Sequence, residues 1–320
     1  MQYGHGLFYS REELISDSKF LHRMADENGY LLIAADWRGM SMFDLPIIAK
    51  ILLADPSLFQ ATLDNLIQGY ASMLCMLHYV QTSMLTELPS FLYFNGQPIP
   101  VDPDFEVSFY GISQGGILGA GYNAVMGATN LLKRSVLGVP GTPFALIMGK
   151  SADFEVFNNI MLLNFYSERD IRIMLSLIQM AWDTVEAGGL LAPPVSEIPP
   201  PVLIQAGLGD AEVPTMAAEV LARSYGAKTL PGTHRSVYGV PVASAAAGSN
   251  PGPRSALTEI LYQKEFSGLP SDDTAPDFNM VHFCVRQDPA LQEQIVEFIN
   301  EGVIVDPCEV DGCVRTKAWC

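Results

Sequence analysis

Positive charge is scarce in this chain. Lys and Arg number 18 against 35 Asp and Glu, a net charge of -17, which repels nucleic-acid phosphates and anionic membrane surfaces; neither is an expected partner. Cysteine is scarce as well, at five in 320 residues. Three of the five fall near the end, and Cys308-x4-Cys313-x6-Cys320 has no histidine close by, so the tail reads as a disulfide staple and no metal site is expected. Terminal disulfides favour an oxidising compartment, secreted or periplasmic. Uninterrupted apolar runs of membrane length are also missing. The stretches Asn65–Thr86 and Val107–Leu132 lack formal charge but are broken by polar residues and glycines, so both are expected as buried helices and strands and not as membrane spans. Met1-Gln2-Tyr3 leads straight into His5-Gly6 with neither a basic nor an apolar leader segment, and no signal peptide is expected there.

What the chain does have is enough apolar material for a large core: 49 % hydrophobic residues and a mean hydropathy of +0.20. That excludes global disorder, and the length suits one α/β core carrying an insertion.

The most informative stretch is Val107-Ser108-Phe109-Tyr110-Gly111-Ile112-Ser113-Gln114-Gly115-Gly116. A short apolar run stops at glycine, presents Ser113, and continues into a small-residue segment of helix length. Gly-x-Ser-x-Gly between a strand and a helix is the nucleophile elbow, a strained turn that exposes the serine hydroxyl. Gly119, Ala120, Gly121 and Ala124 make a poor helix on propensity, so a helix there implies close packing on a sheet.

Ahead of the elbow, Tyr3–Phe8 is a glycine-punctuated turn at a strand end, Phe20–Asn28 is a helix, and Tyr30–Ala35 is a continuous apolar run expected as a buried parallel strand. Apolar residues at steps of three and four predict one long helix from Asp55-Pro56 to about Met84. After the elbow, Ser135–Gly141 reads as a short strand ending in a breaker, Pro140-Gly141. Residues Ser151–Leu191 are apolar in helical order and methionine-rich, expected as a helical insertion over the site, with an ordinary sheet-covering helix pair as the alternative. A proline-rich connector then leads into the strand Val202–Ala206, the helix Pro214–Tyr225, a long surface loop, the strand Ala256–Tyr262, and a final helix begun by Asp288-Pro289 and stopped by Gly302. Strands alternating with helices predict an α/β fold, a mostly parallel sheet flanked by helices. The expected organisation is a core over 1–150, a helical cap over 151–196, and the rest of the core with the Cys-containing tail over 197–320.

A serine nucleophile needs a base within hydrogen-bond reach and an acid to orient that base. In the elbow pattern these follow in the order Ser, Asp or Glu, His. Asp210, in the glycine-bounded loop after strand Val202–Ala206, is the expected acid, with Glu212 and Asp183 as weaker substitutes. For the base, His282 and His234 follow Asp210; His282, expected in a loop after the last strand, is favoured, and His234 reads as a surface turn. His22 and His78 lie on helices with apolar faces and read as structural. The oxyanion formed by carbonyl attack needs donors. The backbone N–H of Gln114 supplies one, and Leu7, in the turn His5-Gly6-Leu7, the second.

With His5-Gly6-Leu7, Gly111-Ile112-Ser113-Gln114-Gly115, Asp210 and His282 in order, nearly the whole chain resembles the α/β-hydrolase superfamily, in particular its lipase and esterase branch. The resemblance implies Ser113 as nucleophile, His282 as general base and then acid, Asp210 as its orienter, Leu7 and Gln114 as oxyanion hole, and Ser151–Leu191 as the cap. The implied activity is hydrolysis of small hydrophobic esters through an acyl-enzyme with no cofactor; a serine peptidase or amidase, or a binding module on the same scaffold, are the alternatives. In that family the His-Gly-x turn follows the third strand of an eight-stranded sheet, whereas only a few residues precede it here, so the fold is expected to be N-terminally shortened. The exposed sheet edge that results predicts a homo-oligomer.

Overall fold

The computed structural model describes all residues except 17–18, 85–86, 88–92, 103, 193–196, 245–251, 266–277, 309–312 and 317–320, with the side chains of 19 and 94 also outside the description. Parts of the proline-rich connector and of the long loop before the last strand therefore lie outside the described residues, as does Cys320.

Seven strands follow one another across the sheet in the order β10–β9–β7–β6–β5–β1–β2, with β8 paired to β9 beside β10. They are β1 (Gln2–Gly4), β2 (Ile33–Ala34), β5 (Phe109–Ile112), β6 (Ser135–Gly138), β7 (Val202–Gly207), β8 (Lys228–Thr229), β9 (Ala256–Tyr262) and β10 (Val314–Arg315), while β3 (Tyr93–Phe94) and β4 (Gln97–Pro98) form a separate antiparallel hairpin. Every pairing in the main sheet is parallel. Parallel strands are buried on both faces, and the cores obey that. Phe109, Leu137, Ile204 and Leu257 point to one face, under the helices Leu45–Ala54, Gln60–Tyr79, Gln114–Val125 and Thr215–Ser224. Their strand neighbours Tyr110, Val136, Leu203 and Ala256 point to the other, under Lys19–Asn28, Val281–Gln287 and Pro289–Glu301. Alternate residues facing opposite ways is the period of a strand.

The expected α/β architecture is therefore observed, with four differences of detail. The run Tyr30–Ala35 gives only two paired residues, Ile33 and Ala34, and both are half-buried. They form the strand at the end of the sheet, which needs less apolar cover than a central one. The helix begun at Asp55 is a 3-10 turn, Pro56–Phe59, running into Gln60–Tyr79 and a π turn, Val80–Met84; Asp55 caps it through the Ser57 N–H at 3.1 Å. A further helix, Leu45–Ala54, not among the expected elements, precedes it with Pro46 in its first turn. Finally, His22 and His78, expected as structural residues on helices with apolar faces, are exposed, as is Cys75; one rim of their helices faces outward.

The region 151–191 is helical, as expected, but the helical run begins earlier, at Phe144. It comprises Phe144–Lys150, Glu155–Leu162, Glu168–Trp182 and Ala187–Leu190. Trp182 stacks on Phe144 with ring centroids 3.9 Å apart and leans on Phe59, so these helices share the core of the sheet's elbow face. In the tail, Cys308 and Cys313 are joined by a disulfide beside β10. Cys284 is also disulfide-bonded, and Cys75 is free. Among the described residues no helix is long and apolar enough to cross a membrane.

Candidate active site

Ser113 sits between β5 and the helix Gln114–Val125 with φ 56° and ψ -123°. For a residue with a Cβ that conformation is strained, and it persists only where the surroundings impose it. They do so here through missing side chains. A Cβ on Gly111 would lie 2.1 Å from the Gly115 carbonyl oxygen, and one on Gly115 would lie 2.1 Å from the Gly4 oxygen and 2.8 Å from the His5 oxygen. Three stretches of backbone thus meet at van der Waals distance only because all of these positions lack a side chain. The Ser113 N–H donates to Gly138 O at 2.9 Å, its carbonyl accepts from Gly116 and Ile117, and its side chain makes no capping hydrogen bond. The hydroxyl is left to other partners.

The same contact seats the turn after β1. His5 is buried; its Nε2 accepts from the Trp37 N–H at 2.9 Å, so its Nδ1–H donates to Gly6 O at 2.9 Å. Burial lowers its pKa and keeps the ring neutral, with weaker opposing contributions from the Gly6 hydrogen bond and from Asp36 and Asp44. Gly6 N–H donates to the buried Glu13 carboxylate at 2.7 Å. The next residue, Leu7, donates no hydrogen bond from its N–H among the described residues, and the Gln114 N–H is one of the orphan donors of a helix's first turn. The Gln114 side chain reaches away, donating to Met40 O at 2.8 Å.

At the same end of the sheet, two strands over, the register aligns Ile112, Gly138 and Gln205. The loop after β7 there carries Asp210, which is 3 % exposed. Its Oδ1 accepts from the N–H groups of Glu212 and Val213, and its Oδ2 accepts from His282 Nδ1 at 2.8 Å. His282 is not in a loop, as expected from the sequence, but in the first turn of the helix Val281–Gln287. Two features place that helix. Asn279 accepts from the Val281 N–H and donates to Gly209 O at 2.8 Å, tying the histidine's segment to the aspartate's loop. Gly207 lets Val281 close in, since a Cβ there would be 2.3 Å from the Val281 side chain. Sequence gives no signal for Asn279, because the segment reads as loop and a helix start at Val281 is needed before an asparagine two residues ahead of it can be read as a cap.

With its Nδ1–H given to Asp210, the ring presents Nε2, which is buried and has no hydrogen-bond partner among the described residues. Glu212 Oε2 stands 3.5 Å from it. The structure therefore brings Asp210 and His282 together, puts Ser113 on its elbow at the same sheet edge, and does not close a hydrogen bond from His282 to Ser113. Burial alone would lower the His282 pKa, but the charge and hydrogen bond of Asp210 and the charge of Glu212 outweigh it, and the net shift is upward. Glu212 and Asp153 are themselves raised, chiefly by burial. Of the other candidates, Asp183 is exposed at the end of the helix Glu168–Trp182, where it accepts from Gln179 at 2.7 Å, and His234 lies half-buried in a turn, while the Asp210 carboxylate is bonded to His282 instead.

Behind the Leu7 turn is a small, wholly apolar cavity of about 10 Å³, room for one water. Phe8 and Met40 line it on one side, and Phe154, Phe157 and Trp182 of the helical region on the other. Phe8 and Phe157 rings are 5.6 Å apart.

An α/β sheet with a strained serine elbow and a buried His–Asp pair at one edge is the class of molecule that fold and site together define. No family model matches the sequence, and no curated protein does. Among solved structures, the chain is similar to acetyl xylan esterase 1 from Thermoanaerobacterium sp. JW/SL YS485, with a TM-score of 0.42 and 15 % identity over 82 % of this chain and 67 % of that one. Carboxyl esterase 2 from the mycorrhizal fungus Tuber melanosporum matches with 0.44 and 16 % over 93 % and 74 %. Pyrococcus horikoshii acylaminoacyl peptidase matches with 0.47 and 11 % over 95 % of this chain but only 37 % of its own. At these values the likeness carries no chemistry, which has to come from the residues.

Proposed function

We propose that this chain is a serine hydrolase of the α/β-hydrolase superfamily, in its esterase and lipase branch, acting on small hydrophobic esters through an acyl-enzyme. The observation that carries the reading is the strained Ser113 elbow at the sheet edge where Asp210 holds His282 Nδ1 at 2.8 Å. Ser113 Oγ attacks the ester carbonyl and His282 Nε2 takes its proton. Asp210 keeps the ring's Nδ1–H fixed and stabilises the imidazolium. The oxyanion is received by the Leu7 and Gln114 N–H groups, an arrangement in which one donor is worth about 10²–10³ in rate. The imidazolium then protonates the leaving alcohol, and water activated by the same nitrogen frees the acid. These steps need neither metal nor organic cofactor. The helical region 151–191 acts as the cap, and its aromatic contact with Phe8 supports a preference for apolar acyl or aryl groups. Self-association along the open edge of β2 belongs to the same reading, because an unpaired edge is a template for another chain.

The test is labelling by a fluorophosphonate probe, with Ser113→Ala as control. Labelling of the wild type alone is expected; a folded wild type that stays unlabelled would favour a non-catalytic binding module. A substrate panel then decides the class, since cleavage of amides with no turnover of activated esters points to a peptidase instead.

A further inference from the structure

We infer that Glu212 is a positioning residue for the base: in the resting protein its carboxylate holds the Nε2 side of His282, so that the base becomes available only when this second partner is lost. The inference rests on the function proposed above for what the base does, but not for the pairing itself.

The geometry is asymmetric in an informative way. Asp210 meets Nδ1 at 2.8 Å and is also tied by two backbone N–H groups, so it is immobile. Glu212 stands on the opposite nitrogen at 3.5 Å, just beyond a good hydrogen bond, and its side chain is 17 % exposed against 2 % for the histidine. Nε2 itself is buried and unsatisfied among the described residues, and a buried polar atom left without a partner carries a cost of about 1–3 kcal/mol. A protonated Nε2–H aimed at the Glu212 carboxylate removes that cost. A neutral Nε2 has a lone pair and nothing to offer an ionised carboxylate, so deprotonation of the ring breaks the pair and frees the lone pair for the Ser113 hydroxyl. Glu212, at the water-facing rim, is the carboxylate that can swing away.

The charged groups facing the ring are Asp210, Glu212 and Asp153 as anions and Arg286 as the cation. Arg286 is itself engaged, 3.5 Å from Glu13. Three carboxylates against one engaged guanidinium bias the ring toward its protonated form. Asp210 must stay for catalysis, so Glu212 is the group that can be removed to read out the bias.

The deciding experiment compares Glu212→Gln with wild type in two ways. In the Ser113→Ala background, which needs no turnover, the His282 imidazole is titrated by its ¹⁵N chemical shifts; loss of the charge at this distance should lower the midpoint by about 1 pH unit. In the active enzyme, the acid limb of kcat/KM should move down with it, raising activity on the acid side of that limb. Glu212→Asp, which keeps the charge on a shorter arm, should fall between the two. An unchanged His282 titration in Glu212→Gln overturns the pairing, whatever the activity. If the titration shifts and no variant hydrolyses anything, the pairing stands and the proposed function fails.

Discussion

His282 is held between two carboxylates, and its net pKa lies above the ordinary 6.5. As a base it works only when neutral, so hydrolysis should rise with pH along a limb centred above about 6.5, read from kcat/KM between pH 5 and 9. Stability runs the other way. A group whose folded pKa is raised contributes stability that is full below 6.5 and is lost as pH rises through the folded value. Thermal midpoints should therefore fall over that interval in wild type and less so in His282→Ala. That same variant should lose about 10²–10⁴-fold in kcat, whereas His234→Ala, in its half-buried turn, should lose little. At this scale much was legible in advance. Order along the chain picked Asp210 and His282, and the structure has them in hydrogen bond. Glu212, by sequence a substitute acid for the Asp210 position, stands instead on the other nitrogen. Spacing in sequence cannot tell which side of a ring a neighbouring carboxylate will take, because that depends on the turn geometry of Gly209–Val213 and on a helix whose start at Val281 was read as loop.

Among the elements, the elbow is the least tolerant. Gly115→Ala puts a methyl 2.1 Å from the Gly4 carbonyl, backbone that cannot step aside; probe labelling should vanish and the thermal midpoint should drop steeply, overpacking costing about 1–3 kcal/mol or more. Trp182→Ala, which removes a fully buried ring stacked on Phe144, should cost roughly 3–5 kcal/mol in denaturant unfolding. The strands β5, β6, β7 and β9 were readable because each is a short apolar run closed by glycine, proline or a charge, and they sit in the sheet's buried middle. Apolar content misled at the edge. Tyr30–Ala35 has the composition of a central strand but contributes two half-buried residues, since burial there depends on what lies beyond β2 and not on the run itself. The two-residue strands β8 and β10 carry no periodicity at all and exist by pairing with β9.

Among the described residues, the sheet ends at β2 on one side and at β10 on the other, and the two ends are finished differently. The β10 end is stapled: Cys308–Cys313 closes a loop of five-residue separation, and Arg315 pairs with the buried Asp288 at 2.8 Å. A loop that short is worth about 2 kcal/mol in chain entropy, so replacing Cys308 and Cys313 together by serine, which leaves the Cys284 disulfide in place, should lower stability by roughly that amount without abolishing labelling at Ser113. The β2 end has no such closure among the described residues. Light scattering should find a dimer or larger species, and a clean monomer would remove the self-association part of the proposal.

The interlock of Gly4, Gly111 and Gly115 also has a consequence in time. Where three backbones touch without side chains between them, no local opening can free one without displacing the others. The hydrogen-bonded amides of Ser113, Gly116 and Ile117 should thus be among the last in the chain to take up deuterium. The helices Glu155–Leu162 and Glu168–Trp182, whose outer faces carry exposed Val156 and Met180, should exchange first, setting slow exchange clocked to global unfolding beside much faster, local breathing.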